Sequence, residues 1–174
     1  MSVATDSKIL VLIRHAKAVS SYGECKDIDR PLTEKGRSDA QAMAVWLKEK
    51  LFSLSCTPDL LLSSPARRTE ETANLFATTF ESDPARMKLD AHLYLPHADS
   101  FYEVIEKISD AVKVLFVFSH NNGITDFINT LTNNRIDVIP PCGLVGVKIE
   151  NAHWKNIRVA LKEWLWFKAP SVTI

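Results

Sequence analysis

A three-layer α/β/α sandwich around a mostly parallel sheet of about six strands is the fold class this sequence predicts. Two observations carry the prediction. Short apolar runs at 9–13, 59–62 and 114–118 have the pattern of strands buried on both faces. Between them lie longer stretches with helical hydrophobic spacing, and that alternation gives a parallel sheet with helices on both sides. The chain has 174 residues, no repeats and no linker-like composition, so it is assigned to a single domain, 1–174.

The first strand is Ile9-Leu-Val-Leu-Ile13. Thr33 is placed to cap a helix over about 34–50, whose apolar stripe is Ala40, Met43, Ala44 and Leu47. Asp59-Leu-Leu-Leu62 is a second buried strand. Pro65 follows where a helix can begin, and that helix runs over about 66–80 until the polar stretch 81–84. A short strand is expected at 87–90. Asp99 or Ser100 can cap the next helix, with Phe101, Val104, Ile105 and Ile108 at helical spacing. The third apolar strand is 114–118, followed by a helix over about 122–131. Two further strands close the chain, at 143–150 and about 160–167, the latter rich in Trp and Leu.

Composition excludes several classes. Hydrophobic residues at 46% argue against disorder, and a formal net charge of zero supplies no field favouring nucleic acid or an anionic membrane. Affinity for an anion must therefore come from a local site. Cys25, Cys56 and Cys142 are widely spaced and form no CxxC pair, so neither structural zinc nor a disulfide framework is expected. Residues 1–8 lack a charged start leading into a long apolar stretch, and the run at 9–13 is too short to span a membrane. These features predict a reducing, cytoplasmic setting with no membrane partner. A monomer is favoured.

Three predicted strands run out into chemically capable residues. The first ends in Arg14-His15-Ala16-Lys17, the second in Ser63-Ser64-Pro65-Ala66-Arg67-Arg68, and the third in Ser119-His120-Asn121-Asn122-Gly123. Ligands of open α/β sheets bind beyond the carboxyl ends of the strands, so adjacent parallel strands would bring two histidines and two or three arginines together. Phosphoryl transfer suits these residue types. Its charge spreads over three equatorial oxygens, which arginine's planar fork can hold, and a neutral imidazole can attack phosphorus in line. The turn at 121–123 opens a helix whose free N–H groups can also face an anion. No metal or other cofactor is required where arginines supply the positive charge.

At these positions the sequence resembles the histidine phosphatase superfamily, the phosphoglycerate-mutase-like group, and within it the short SixA-type phosphohistidine phosphatases. Arg14-His15-Ala16 is similar to the family's Arg-His-Gly signature, with Ala16 in place of glycine. Asp29-Arg30-Pro31-Leu32-Thr33-Glu34-Lys35-Gly36-Arg37 resembles the entry to the family's first helix. Ser64-Pro65-Ala66-Arg67-Arg68 with Glu71-Thr72-Ala73 resembles its second-arginine motif, in which the spacing to Thr72 selects Arg68 over Arg67. Ser119-His120-Asn121 resembles its second-histidine motif, with Asn122 where proline is common. The likeness runs over about 9–170. It implies that His15 is the nucleophile, that Arg14, Arg68, His120 and Asn121 complete a phosphate pocket, and that reaction proceeds through a phosphorylated His15.

No clear general acid stands where family members acting on phosphate esters place Glu or Asp. Asp90, His92, His97 and Asp99 are the candidates in that segment. An alkoxide leaving group needs a proton, whereas phosphohistidine can release neutral imidazole, with a reference pKa of about 6.5. The expected substrate is thus phosphohistidine on a protein. The alternatives are a small phosphorylated metabolite, or phosphate binding without turnover. Other chemistries fit poorly: Cys25 and Arg30 have the wrong spacing for a cysteine phosphatase loop, and Ser64 lies in no GxSxG elbow. Arginines beside both histidines would repel a metal ion.

Overall fold

The computed structural model describes residues 7–21, 25–150 and 153–170. The leader-segment expectation rests mostly on residues 1–6, which lie outside the described residues. The elements in chain order are β1 Lys8–Arg14, α1 Glu34–Ser53, β2 Leu60–Ser63, α2 Arg67–Thr79, β3 Met87–Leu89, α3 Ala98–Ile105, β4 Val114–Ser119, α4 Gly123–Leu131, β5 Leu144–Ile149 and β6 Lys162–Lys168. A single 3-10 turn at Asp27–Asp29 lies between β1 and α1.

One six-stranded mixed sheet has the order β3-β2-β4-β1-β5-β6. β1, β4, β2 and β3 pair in parallel, β5 is antiparallel to β1, and β6 is antiparallel to β5. Five of the six strands therefore point the same way. The apolar runs earn this interior position because alternate side chains on the central strands enter two different cores. Val11, Ile13, Leu61, Phe116 and Phe118 pack with Ala40, Met43, Leu47, Ala73 and Phe76 of α1 and α2. Leu10, Leu12, Leu62, Leu115 and Val117 face Phe101, Ile105, Ile124 and Phe127 of α3 and α4. A strand apolar on both faces can be sandwiched only between two helical layers. The architecture is an α/β/α sandwich.

Thr33 caps α1 as expected, its Oγ1 accepting from the Gly36 N–H at 3.0 Å. The helix continues to Ser53, past the expected end at 50. The expected cap of α3 is corrected. His97 occupies that position with no side-chain bond, and Asp99, already inside the first turn, pairs with Arg158 at 3.2 Å. That helix also ends at Ile105, so Ile108 packs against the core from beyond it.

Candidate active site

The central register decides what meets at the sheet's edge. Arg14 pairs with Ser119 and Ser63 with Phe118, so β1, β2 and β4 end level with one another. The alignment continues one residue further: the His15 N–H donates to the Ser119 carbonyl at 3.0 Å, and the Ser64 N–H to the Phe118 carbonyl at 3.1 Å. His15 and His120 are thereby delivered side by side, with ring centroids 5.2 Å apart. Arg68, from the first turn of α2, lies between them.

Hydrogen bonds fix the protonation pattern of both rings. Nδ1 of His15 is 2.8 Å from the Ala16 carbonyl, which can only accept, so Nδ1 carries the proton. Nε2 is left with a lone pair, and Arg68 Nε donates toward it at 3.3 Å. Arg68 Nη2 donates to His120 Nδ1 at 3.2 Å, which assigns the proton of His120 to Nε2, 2.8 Å from Ser64 Oγ. Burial is the first cause of the depressed basicity of both rings. The His15 pKa is lowered to about 4, the bond to Ala16 opposing and the nearby Arg68, Arg14 and Arg30 assisting. The His120 pKa falls to about 3, with His15 and Arg68 adding to burial and Asp27 opposing. Both rings are neutral at neutral pH, and a neutral Nε2 is the form that can attack phosphorus.

Ala16, the methyl-bearing stand-in for glycine, is fully buried, and its N–H donates to Thr72 Oγ1 at 3.0 Å. Thr72 in turn donates to the Arg68 carbonyl at 2.7 Å. One hydroxyl thus ties the loop carrying His15 to the helix bearing Arg68. Arg14 anchors through Nη1 to the Ile139 carbonyl at 2.7 Å, while its buried Nε has no partner among the described residues. A buried guanidinium N–H without an acceptor is costly, and an oxyanion in this cavity would satisfy it.

The cavity measures about 400 Å³ and is lined by Arg14, His15, Lys17, Ala18, Asp27, Arg30, Arg68, Leu95, His120, Asn121 and Pro141. The sequence-predicted residues Arg14, His15, Arg68, His120 and Asn121 all meet here. Arg67 does not. It faces outward and pairs with Glu71 at 2.9 Å. Asn121 stands at the start of α4, where its Oδ1 accepts from Thr125 at 2.6 Å.

The four candidate acids are corrected: none lines this cavity. Asp90 caps the turn at Ala91–Leu93 and binds His92 Nδ1 at 2.9 Å, and both line a separate hollow beside β3. His97 and Asp99 begin α3, with Asp99 turned to Arg158.

Sequence reasoning missed Asp27, the only carboxylate lining the cavity among the described residues. Its Oδ2 accepts from Arg68 Nη2 at 3.0 Å and from the Tyr94 hydroxyl at 2.8 Å. Its Oδ1 accepts from Arg30 Nε at 3.0 Å and Nη2 at 2.8 Å. Although burial alone would raise its pKa, these donors and the Arg68 charge hold the carboxyl well below the usual carboxylate range. Asp27 is ionised and fully engaged as an acceptor. The available signal was its i,i+3 spacing to Arg30, which says nothing about Arg68 or Tyr94.

The model of the histidine phosphatase superfamily (branch 1) matches residues 10–94. An uncharacterized chloroplastic protein of Arabidopsis thaliana is 42% identical over 142 residues, which is 75% of this chain and 62% of that protein. The chain thus spans about 62% of the length of the curated relative it matches. The expected cytoplasmic setting is corrected by this relative, which is chloroplastic. Composition and cysteine spacing reported only a reducing environment, and that does not single out one compartment. Among solved structures, a proposed phosphohistidine phosphatase SixA from Nakamurella multipartitia superposes with a TM-score of 0.78 at 21% identity, covering 94% of this chain and 96% of that one. The protein histidine phosphatase SixA complexed with tungstate superposes with a TM-score of 0.77 at 18% identity, covering 93% and 97%. The likeness to these solved structures is one of fold.

Proposed function

We propose that this chain, whose fold is that of the histidine phosphatase superfamily, is a metal-independent phosphatase that carries the phosphoryl group on Nε2 of His15 and acts on phosphohistidine in proteins. The observation that carries this reading is the tautomer of His15. Its Nδ1–H is committed to the Ala16 carbonyl, leaving the Nε2 lone pair in a cavity with Arg14, Arg68 and His120.

In the first step Nε2 attacks phosphorus, a new P–N bond forms, and the bond from phosphorus to the leaving group breaks. Arg14 and Arg68 hold the equatorial oxygens, where preorganised donors act most strongly. In the second step water attacks, the P–Nε2 bond breaks, inorganic phosphate leaves, and His15 returns to its neutral form.

The choice of substrate rests on proton supply. Asp27 is ionised and accepts from four donor atoms, so it has no proton to give. A phosphorylated imidazole whose other nitrogen is protonated leaves as neutral imidazole and needs none. Transfer from one imidazole to another is also nearly balanced in energy. A cavity of about 400 Å³ accommodates a phosphoryl group with a ring of that size.

The test is turnover of a phosphohistidine protein beside a panel of phosphorylated metabolites, with chelator present. Rapid quenching should trap an acid-labile phosphoenzyme that is missing in His15→Ala. Labelling of that variant sinks the assignment. A much higher kcat/KM for one metabolite moves the substrate to a small phosphate ester.

A further inference from the structure

We propose that Asp27 is a positioning residue of this reaction, fixing the Arg68 guanidinium end-on so that its side-on edge faces the phosphoryl group. The inference rests on the phosphatase reading above and goes beyond it, because it assigns a role to a residue outside the motifs.

The two edges of the guanidinium are held differently. End-on, Nη1 donates to the Asp27 carbonyl at 2.6 Å and Nη2 to the Asp27 carboxylate at 3.0 Å. Side-on, Nε and Nη2 point at His15 Nε2 and His120 Nδ1 across 3.3 and 3.2 Å. The contacts to the imidazoles are longer than those to Asp27, and the Asp27 carboxylate adds an opposite charge that neither ring has. Phosphoryl oxygens can therefore replace the imidazole acceptors while Asp27 keeps its grip. Arg68 is 2% exposed, so without the carboxylate it would keep the backbone carbonyl of residue 27 on Nη1 but lose the acceptor that fixes the orientation of Nη2.

Asp27 is itself held from several directions. Arg30 grips Oδ1 with two nitrogens and anchors its third to the Val19 carbonyl at 2.6 Å. Tyr94, which follows β3, reaches Oδ2 from the opposite wall and packs edge-on against His120 with centroids 5.4 Å apart. The carboxylate thus joins three separate segments behind one guanidinium, the arrangement expected of a support for a group that must not move during transfer.

The experiment is a double-mutant cycle with Asp27→Ala and Arg68→Ala, read as kcat and KM on a phosphohistidine peptide. Asp27→Ala should lower kcat by roughly 10- to 100-fold with KM changed less than about threefold, and should cost nothing further once Arg68 is alanine. Tyr94→Phe, which removes one donor to the carboxylate and keeps the ring, should give a smaller fall in kcat. A kcat for Asp27→Ala within about twofold of wild type, or a loss fully additive with Arg68→Ala, overturns the proposal. Wild type that binds tungstate but takes no phosphoryl label overturns the hydrolase reading alone. The same cycle in tungstate affinity then decides Asp27: a loss of about tenfold, absent when Arg68 is alanine, supports it, and equal affinity overturns it. Wild type that does neither overturns both.

Discussion

Nε2 of His15 lies 3.3 Å from Nε of Arg68, although 53 positions separate the two residues in the chain. The contact exists because β1 and β2 flank β4 and end level with it, while Thr72 ties the helix after β2 to the loop after β1. A lone pair facing a permanent cation, with no carboxylate between them, is an arrangement suited to an anion rather than a metal ion.

Replacing Arg68 by alanine should therefore lower kcat/KM by roughly 10²- to 10³-fold, the range for loss of one preorganised donor to a developing anion. Lysine should restore little, because it cannot reach Asp27 and both rings with one planar group. Steady-state kinetics on a phosphohistidine peptide checks both.

The two site histidines should stay neutral as the pH falls from 7 to 5. The rings of His15 and His120 should reach half-protonation only near pH 4 and 3. NMR titration of ring carbons measures this directly. Arg68→Ala removes a cation from both rings, so each should protonate at higher pH than in wild type.

The same lowered pKa values couple folding to pH. An unfolded histidine protonates near 6.5, so between that pH and the folded value the unfolded chain holds more protons and stability is lost as pH falls. The slope is at most about 1.4 kcal/mol per pH unit for each ring. Urea unfolding at several pH values between 7 and 4.5 should show stability decreasing toward acid, and His120→Asn should make the decrease shallower.

Thr72→Val should cost about 1–3 kcal/mol, because the buried Ala16 N–H loses its acceptor and valine offers none. Chemical denaturation measures the loss. Oxyanion affinity should fall with it, since the same hydroxyl spans from the His15 loop to the Arg68 backbone.

Gly123→Ala should destabilise by about 1–3 kcal/mol. A methyl group there would stand 2.0 Å from the Pro96 carbonyl oxygen and 2.9 Å from its carbon, so backbone on one side must shift. A thermal melt tests it. Unchanged stability would mean that the turn after His120 yields more easily than this packing indicates.

Much of the fold was legible because its signals are local. The strands at Lys8–Arg14 and Val114–Ser119 announce themselves as apolar runs, and Thr33 declares a helix start by its own side-chain chemistry. Boundaries were less legible. The extension of α1 to Ser53 and the cap at His97 depend on packing and on where Pro96 leaves the backbone, and neither is written in the spacing of apolar residues. The four residues singled out as acids show the same limit. Asp90 and His92 turn to each other within one local turn, whereas Asp99 turns to Arg158, a partnership set by the path of the chain.

Local residue order alone pointed to the groups at the sheet edge, two imidazoles and two guanidinium groups at or just past the ends of buried strands, because periodicity and motif order are properties of short segments. Three-dimensional packing sets which nitrogen of each ring carries its proton, leaves Arg14 Nε buried without an acceptor among the described residues, and stands Asp27 behind Arg68. The reason is range. The Asp27–Arg68 and Asp27–Tyr94 contacts join residues 41 and 67 positions apart, and such pairings leave no trace in local pattern until the sheet register brings them together.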